Sequence, residues 1–193
     1  SIVADKSADP NLVAADLIAQ AEHDINAQSI LITNNKNLIR LVNLSLKQQL
    51  VKLPKKKIAS QSLKNFGLAI LASSKKNIIE AINVIAPEHL ELCTNMNKEI
   101  IKGVKNAGSI FVGKYSPEAI GDYIAGPNHV LPTSGAARFS SGLSVNDFLK
   151  RHSMIKITKT GIERLGLSVI NLAEHENLDG HANSVKIRLK KEK

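Results

Sequence analysis

The side chains able to do chemistry in this sequence fall in four short stretches. Gln20 and His23, in "IAQAEHD", stand three apart, a spacing that on a helix puts both on one face near its end. An amide oxygen and an imidazole there are workable metal donors, although a helix-end histidine is more often simply solvated. Glu88 and His89 are adjacent in "APEHLEL". A carboxylate and an imidazole so placed could share proton transfer, yet on the residues alone a solvated pair at a helix end is the plainer reading. Asp122 and His129 lie in "GDYIAGPNHVLPT", and Glu176 and His181 in "ENLDGHANSV". His152 and His175 have no such context and read as surface residues. Together, Gln20, His23, Asp122 and His181 would offer one amide oxygen, two imidazoles and one carboxylate, a set suited to zinc or another divalent first-row ion with positions left for substrate.

The elements that must position these groups alternate along the chain. "SIVAD" reads as a short buried strand, Asp9 and Pro10 as a helix start, and the segment to His23 as an amphipathic helix with Val13, Leu17 and Ile18 on one face. The strand "SILIT", the helix "KNLIRLVNLSLKQQLVKL" and the buried strand "GLAILAS" follow. Next come the helix "SKKNIIEAINVIA", the strand "HLELCT", a helix near "NKEIIKGVKNAG" and the strand "SIFVG". Strands reading as apolar runs between helices predict a doubly wound, Rossmann-like α/β domain with a mainly parallel sheet, whose ligands belong at loops on the strand ends.

After Gly113 a long irregular region rich in Gly, Pro and Ser runs through "SSGLS", and "GDYIAGPNHVLPT" is too broken for a good helix. From Ser144 come a short helix, the strand-like "MIKIT" and two helices from Lys159 to the end, an arm outside the sheet with Gly180 near their junction. The organisation predicted is an α/β domain with active-site loops over 1–143 and a mostly helical C-terminal arm over 144–193.

Composition narrows the class. An apolar share of 43% supports a real core, and no apolar run reaches the roughly 20 residues of a membrane span. The net charge of +9 comes mainly from lysine, with clusters at "KLPKKK" and "RLKKEK", and aromatics are 3% of the chain. Without an aromatic platform or an arginine stripe, the charge reads as a solvated face and nucleic acid is not an expected partner. The single cysteine, Cys93, reads as a small buried hydrophobe and fits a reducing, cytoplasmic setting. The start at "SIVAD", with no initiator methionine, suggests a piece of a longer chain.

The segments "VAADLIAQAEHD", "APEHLEL", "AGSIFVG", "SPEAIGDYIAGPNHVLPTSGAARFSSGLSVNDFLKR" and "GHANSV", in this order, resemble histidinol dehydrogenase over essentially the whole chain. That family is a zinc-dependent, NAD-linked oxidoreductase that converts L-histidinol through L-histidinal to L-histidine in histidine biosynthesis. The resemblance implies Gln20, His23, Asp122 and His181 as zinc ligands and Glu88 and His89 as the catalytic acid/base pair. The substrate set it implies is Gln20, His23, His89, Asp122, His129, Glu176 and His181. It also implies a homodimer in which His181 and Glu176 complete the partner's site. Family members are much longer. The part expected to bind NAD and to complete the first α/β domain precedes "SIVAD", and no G-x-G-x-x-G loop is present. The chain thus reads as a C-terminal portion of the enzyme, inactive alone, or alternatively as a degenerate remnant that binds zinc or an imidazole ligand without redox activity.

Overall fold

The coordinates are a computed structural model and describe residues 1–54 and 56–190. Among them the chain forms two compact units, Ser1–Phe148 and Leu149–Lys193.

The first unit is built on a parallel sheet. Strand β1 (Ile2–Ala4) leads to helix α1 (Pro10–Ala21), where Asp9 caps the first turn by accepting from Asn11 N and Pro10 supplies a preset φ. Strand β2 (Ile30–Thr33) and helix α2 (Lys36–Lys52), capped by Asn35, follow. Then come α3 (Lys56–Phe66) and β3 (Leu68–Leu71). Helix α4 (Lys75–Ile85) is capped by Ser74 and ends where Ala86 turns left-handed, with φ of 51°, ahead of Pro87. Strand β4 (His89–Cys93), the short α5 (Asn97–Ile101), β5 (Ser109–Val112) and α6 (Glu118–Tyr123) complete the series, with single 3-10 turns at Ala136–Arg138 and Val145–Phe148.

The strand order is β3-β2-β1-β4-β5, every pairing parallel, so the predicted Rossmann-like α/β class is what the chain adopts. Alternation along each strand divides the core between two faces. Val3, Ile30, Ile32, Leu90 and Leu92 meet Ile78, Ile82 and Ile100 on one side, while Ile2, Ala4 and Leu31 meet Val13, Leu17, Leu38 and Val42 on the other. Because Leu90 and Leu92 face α4, the alternate residues His89, Glu91 and Cys93 face α1. One polar stripe of β4 is thereby sent into a buried layer.

Several expectations need correction. Residues around "KLPKKK" lead into helix α3, whose buried positions, Ala59 and Ser62, are too small to mark an apolar face. Strand β3 is an edge strand, with Leu68 and Leu71 about half exposed, rather than a buried one. "GDYIAGPNHVLPT" opens inside α6, because Gly121 sits where a Cβ would come within 2.4 Å of the Phe111 ring; the glycine lets the helix lie on β5 instead of breaking it. Residues of "MIKIT" pair with no strand among the described residues, and Met154 and Ile155 are exposed.

The second unit is a helical hairpin of α7 (Lys159–His175) and α8 (Asp179–Leu189), joined at Asn177 with φ of 58°. Gly180 falls within the first turn of α8, just past this junction. Ile170, Ala173 and Ala182 form its core with Val185 and Leu189. At Gly166 a Cβ would stand 2.8 Å from Leu189, so the missing side chain sets how closely the two helices approach. The last residues of "RLKKEK", Lys191 to Lys193, lie outside the described residues, as does Lys55 of "KLPKKK".

Candidate functional site

The site forms where the C-terminal end of α1, the amino end of β4 and the short α6 meet. Helix α1 ends at Ala21 with Glu22 as cap, so Gln20 is its last-turn residue and His23 lies one position beyond the cap. The Ala86–Pro87 turn delivers Glu88 half-buried and His89 as the first residue of β4. On α6, Glu118 and Asp122 are four apart and share a face. Donor atoms of His23, Glu118 and Asp122 all lie within 4.8 Å of one another.

His89 stands between the two acids of α6. Its Nδ1 is 3.6 Å from Glu118 Oε1 and its Nε2 is 3.5 Å from Asp122 Oδ1. Both ring nitrogens are buried and neither makes a hydrogen bond, while the Phe111 ring packs 5.9 Å away, centre to centre. Only its amide nitrogen allows Gln20 to face a carboxylate: turned that way, it donates to Glu118 Oε1 at 2.9 Å and Oε2 at 3.0 Å. Glu118 is itself held from behind, its backbone N–H donating to Glu91 Oε1 at 2.7 Å.

Acidic groups dominate the electrostatics here. Among the described residues no lysine or arginine pairs with Asp16, Glu91, Glu118 or Asp122. Burial, with Asp122, Glu88 and Asp16 adding repulsion, pushes the Glu118 carboxyl up to about 7. Burial and Asp16 push Glu91 up to about 8, and burial followed by Asp122 raises Glu88. Burial lowers His89, against the pull of Asp122, and favours a neutral imidazole able to accept a proton. Clustered oxygens short of positive charge, with an imidazole and an amide beside them, fit a divalent cation such as zinc.

Two cavities open on this cluster. One of about 460 Å³ is lined by Gln20, Glu88, His89, Ser134 and Arg138. The other, about 380 Å³, runs beside β5 and α6 and is lined by Phe111, Asp122, Asn128 and the exposed His129. The first unit therefore gathers Gln20, His23, Glu88, His89, Asp122 and His129 in one region. Glu176, the C-cap of α7, and His181, on α8, are exposed in the second unit. His152 and His175 are exposed as well. Sequence reasoning missed Glu118 and Glu91. The first is visible as the partner of Asp122 one helical turn earlier, the second as an acid at an inward position of an otherwise apolar strand.

All of this lies at the amino ends of β1 and β4, whereas doubly wound sheets place dinucleotides at the carboxyl ends. At those carboxyl ends the crevice is lined by Ser7, Asp9, Cys93, Thr94, Asn95 and Lys114. Asp9 already occupies the N-terminal amide of α1, and the β1–α1 loop carries Asp5 and no glycine. A carboxylate stands where a pyrophosphate would need free N–H groups, so this crevice does not fit the phosphates of NAD.

Comparison with known proteins gives the same family as the motifs. The histidinol dehydrogenase family model matches residues 1–189. A histidinol dehydrogenase of Clostridium acetobutylicum is 50% identical over 189 residues, covering 98% of this chain and 44% of its own length. One of Pelagibacter ubique is 52% identical over 191 residues, covering 99% and 45%. The crystal structure of histidinol dehydrogenase from Elizabethkingia anophelis superposes with a TM-score of 0.93 at 40% identity, over 97% of this chain and 43% of that one. The chain spans less than half the length of the relatives it matches, and it belongs to the histidinol dehydrogenase family.

Proposed function

We propose that the chain carries the metal- and substrate-holding part of a histidinol dehydrogenase, with the acid/base pair and without the site of the hydride acceptor. The observation that carries this reading is the convergence of His23, Glu118 and Asp122 donor atoms within 4.8 Å beside Glu88 and His89. Gln20, His23 and Asp122 would hold zinc, with His181 as a further ligand, and zinc when bound supplies the charge that holds a substrate imidazole and amine in place. NAD, when bound, would supply the hydride acceptor for each oxidation.

His89, neutral because it is buried, takes the hydroxyl proton of L-histidinol as the carbinol hydrogen departs as hydride with the C–H bonding electrons, which leaves the aldehyde. Glu88, at the wall of the same cavity, takes a proton from water as it adds to the aldehyde, and loss of a second hydride then gives L-histidine. His129 faces the substrate from the neighbouring groove. Glu176 and His181 would serve the site of a second subunit in a homodimer, a reading supported by the exposed apolar side chains Leu165, Leu167 and Leu172 on the arm. No helix among the described residues is long and apolar enough to cross a membrane. A cytoplasmic setting is the reading supported by the single cysteine, Cys93, which fits a reducing compartment.

The unsuitability of the sheet crevice for phosphates favours a second state of affairs for the chain on its own: zinc and imidazole binding without redox turnover. The test is zinc content together with histidinol-dependent NADH formation. One zinc per chain with negligible turnover is the result expected. Robust turnover by residues 1–193 alone would refute the absence of an acceptor site, and unchanged zinc affinity in His181→Ala would remove His181 from the ligand set.

A further inference from the structure

Glu118 has no part in the proton transfers above, yet it is buried at 5% exposure in the middle of the site. With the Gln20 amide turned so that its nitrogen faces this carboxylate, the one orientation in which the pair can hydrogen-bond, that nitrogen donates to both oxygens, at 2.9 and 3.0 Å. We propose that Glu118 is a positioning residue: by taking the amide nitrogen of Gln20 it turns the amide oxygen of Gln20 toward the metal. This rests on the reading of Gln20, His23 and Asp122 as metal ligands.

The chemistry of the amide makes such a residue necessary. Only the oxygen end of a glutamine side chain binds a divalent cation, and the two ends have nearly the same shape. A glutamine in the last turn of a helix, with nothing on its nitrogen, presents either end. Ionised, as a cation bound beside it favours, the Glu118 carboxylate accepts and does not donate, so it selects the nitrogen and leaves the oxygen free. Glu118 is well placed for this, because its backbone is pinned by Glu91 Oε1 at 2.7 Å and it shares the short helix α6 with Asp122. One helix thus supplies a ligand and the group that orients another.

Glu118 could instead bind the cation directly, since its oxygen lies within the same 4.8 Å cluster. The two hydrogen bonds to Gln20 use both of its oxygens and argue for the indirect role.

The test is metal affinity, read by cobalt(II) titration of the visible d–d bands and by zinc competition, on the 193-residue chain with folding checked by circular dichroism. Glu118→Gln keeps an acceptor oxygen for Gln20 and should hold cobalt within about threefold of the parent, with the same band positions. Glu118→Ala should weaken binding about 10–100-fold. Adding Gln20→Ala to it should cost less than Gln20→Ala costs the parent, because the two residues act through one shared interaction. A loss in Glu118→Gln as large as in Asp122→Ala, with shifted bands, would make Glu118 a ligand and overturn the proposal, as would unchanged affinity in Glu118→Ala. If His23→Ala and Asp122→Ala also left affinity unchanged, the metal reading itself would fall.

Discussion

Two buried carboxylates outside the proton chemistry respond to pH in opposite directions. Asp5 accepts from Ser7 Oγ, Ser7 N, Thr94 Oγ1 and Asn95 N at 2.5 to 2.9 Å. Burial opposes its charge, but these hydrogen bonds outweigh burial and hold the carboxyl at about 2. A folded-state value below the unfolded one means stabilisation that is full above about pH 4 and lost as pH falls toward 2. Asp5→Ala should therefore cost about 2–3 kcal/mol in urea unfolding at pH 7, with the gap closing toward pH 2. Glu91 is the reverse case, raised to about 8 by burial and by Asp16. Its carboxyl ionises above about pH 4.5 when unfolded but not when folded, so its effect on stability worsens as pH rises from about 4.5 to 8. Glu91→Gln cannot ionise and keeps an oxygen for the Glu118 N–H. In chelator, it should match the parent at pH 5 and be the more stable protein at pH 8; the opposite order would show that Glu91 is charged in the folded state.

At the level of elements, the site depends on how closely a six-residue helix lies on β5. Glycine at 121 permits this, since a Cβ there would come within 2.4 and 2.6 Å of the Phe111 ring. Gly121→Ala should destabilise the fold by about 1–3 kcal/mol and weaken zinc binding, because Asp122 is the next residue on the displaced helix. Unchanged zinc affinity would show that α6 need not sit where it does. The same glycine explains why α6 was hard to see in the sequence: it reads as a breaker, and its packing role appears only once β5 is alongside. Strand and helix order was legible because apolar runs alternate with capped amphipathic stretches, as at Asp9–Pro10 and Asn35. Helix α3 was not, since lysines mask its start and its buried side chains are alanine and serine. "MIKIT" has strand composition, but composition does not supply a partner strand.

For the whole molecule, the parallel sheet with order β3-β2-β1-β4-β5 sets where chemistry can lie. The usual rule points to the carboxyl ends of the strands; here the candidate site residues collect at the amino ends, because α1 returns across the sheet and sets Gln20 and His23 beside the start of β4. Gln20, His23, Asp122 and the Glu88–His89 pair were legible as candidates from residue type and motif. Their convergence was not, as it depends on a contact between α1 and α6 that lies far apart in sequence. The central claim is that this convergence makes a substrate site completed by metal. Its most direct test is calorimetric titration of L-histidinol into the chain with and without zinc, beside the Asp122→Ala variant. Binding that requires zinc and disappears in Asp122→Ala is the outcome expected. Equal affinity with and without zinc, or in the variant, would contradict it.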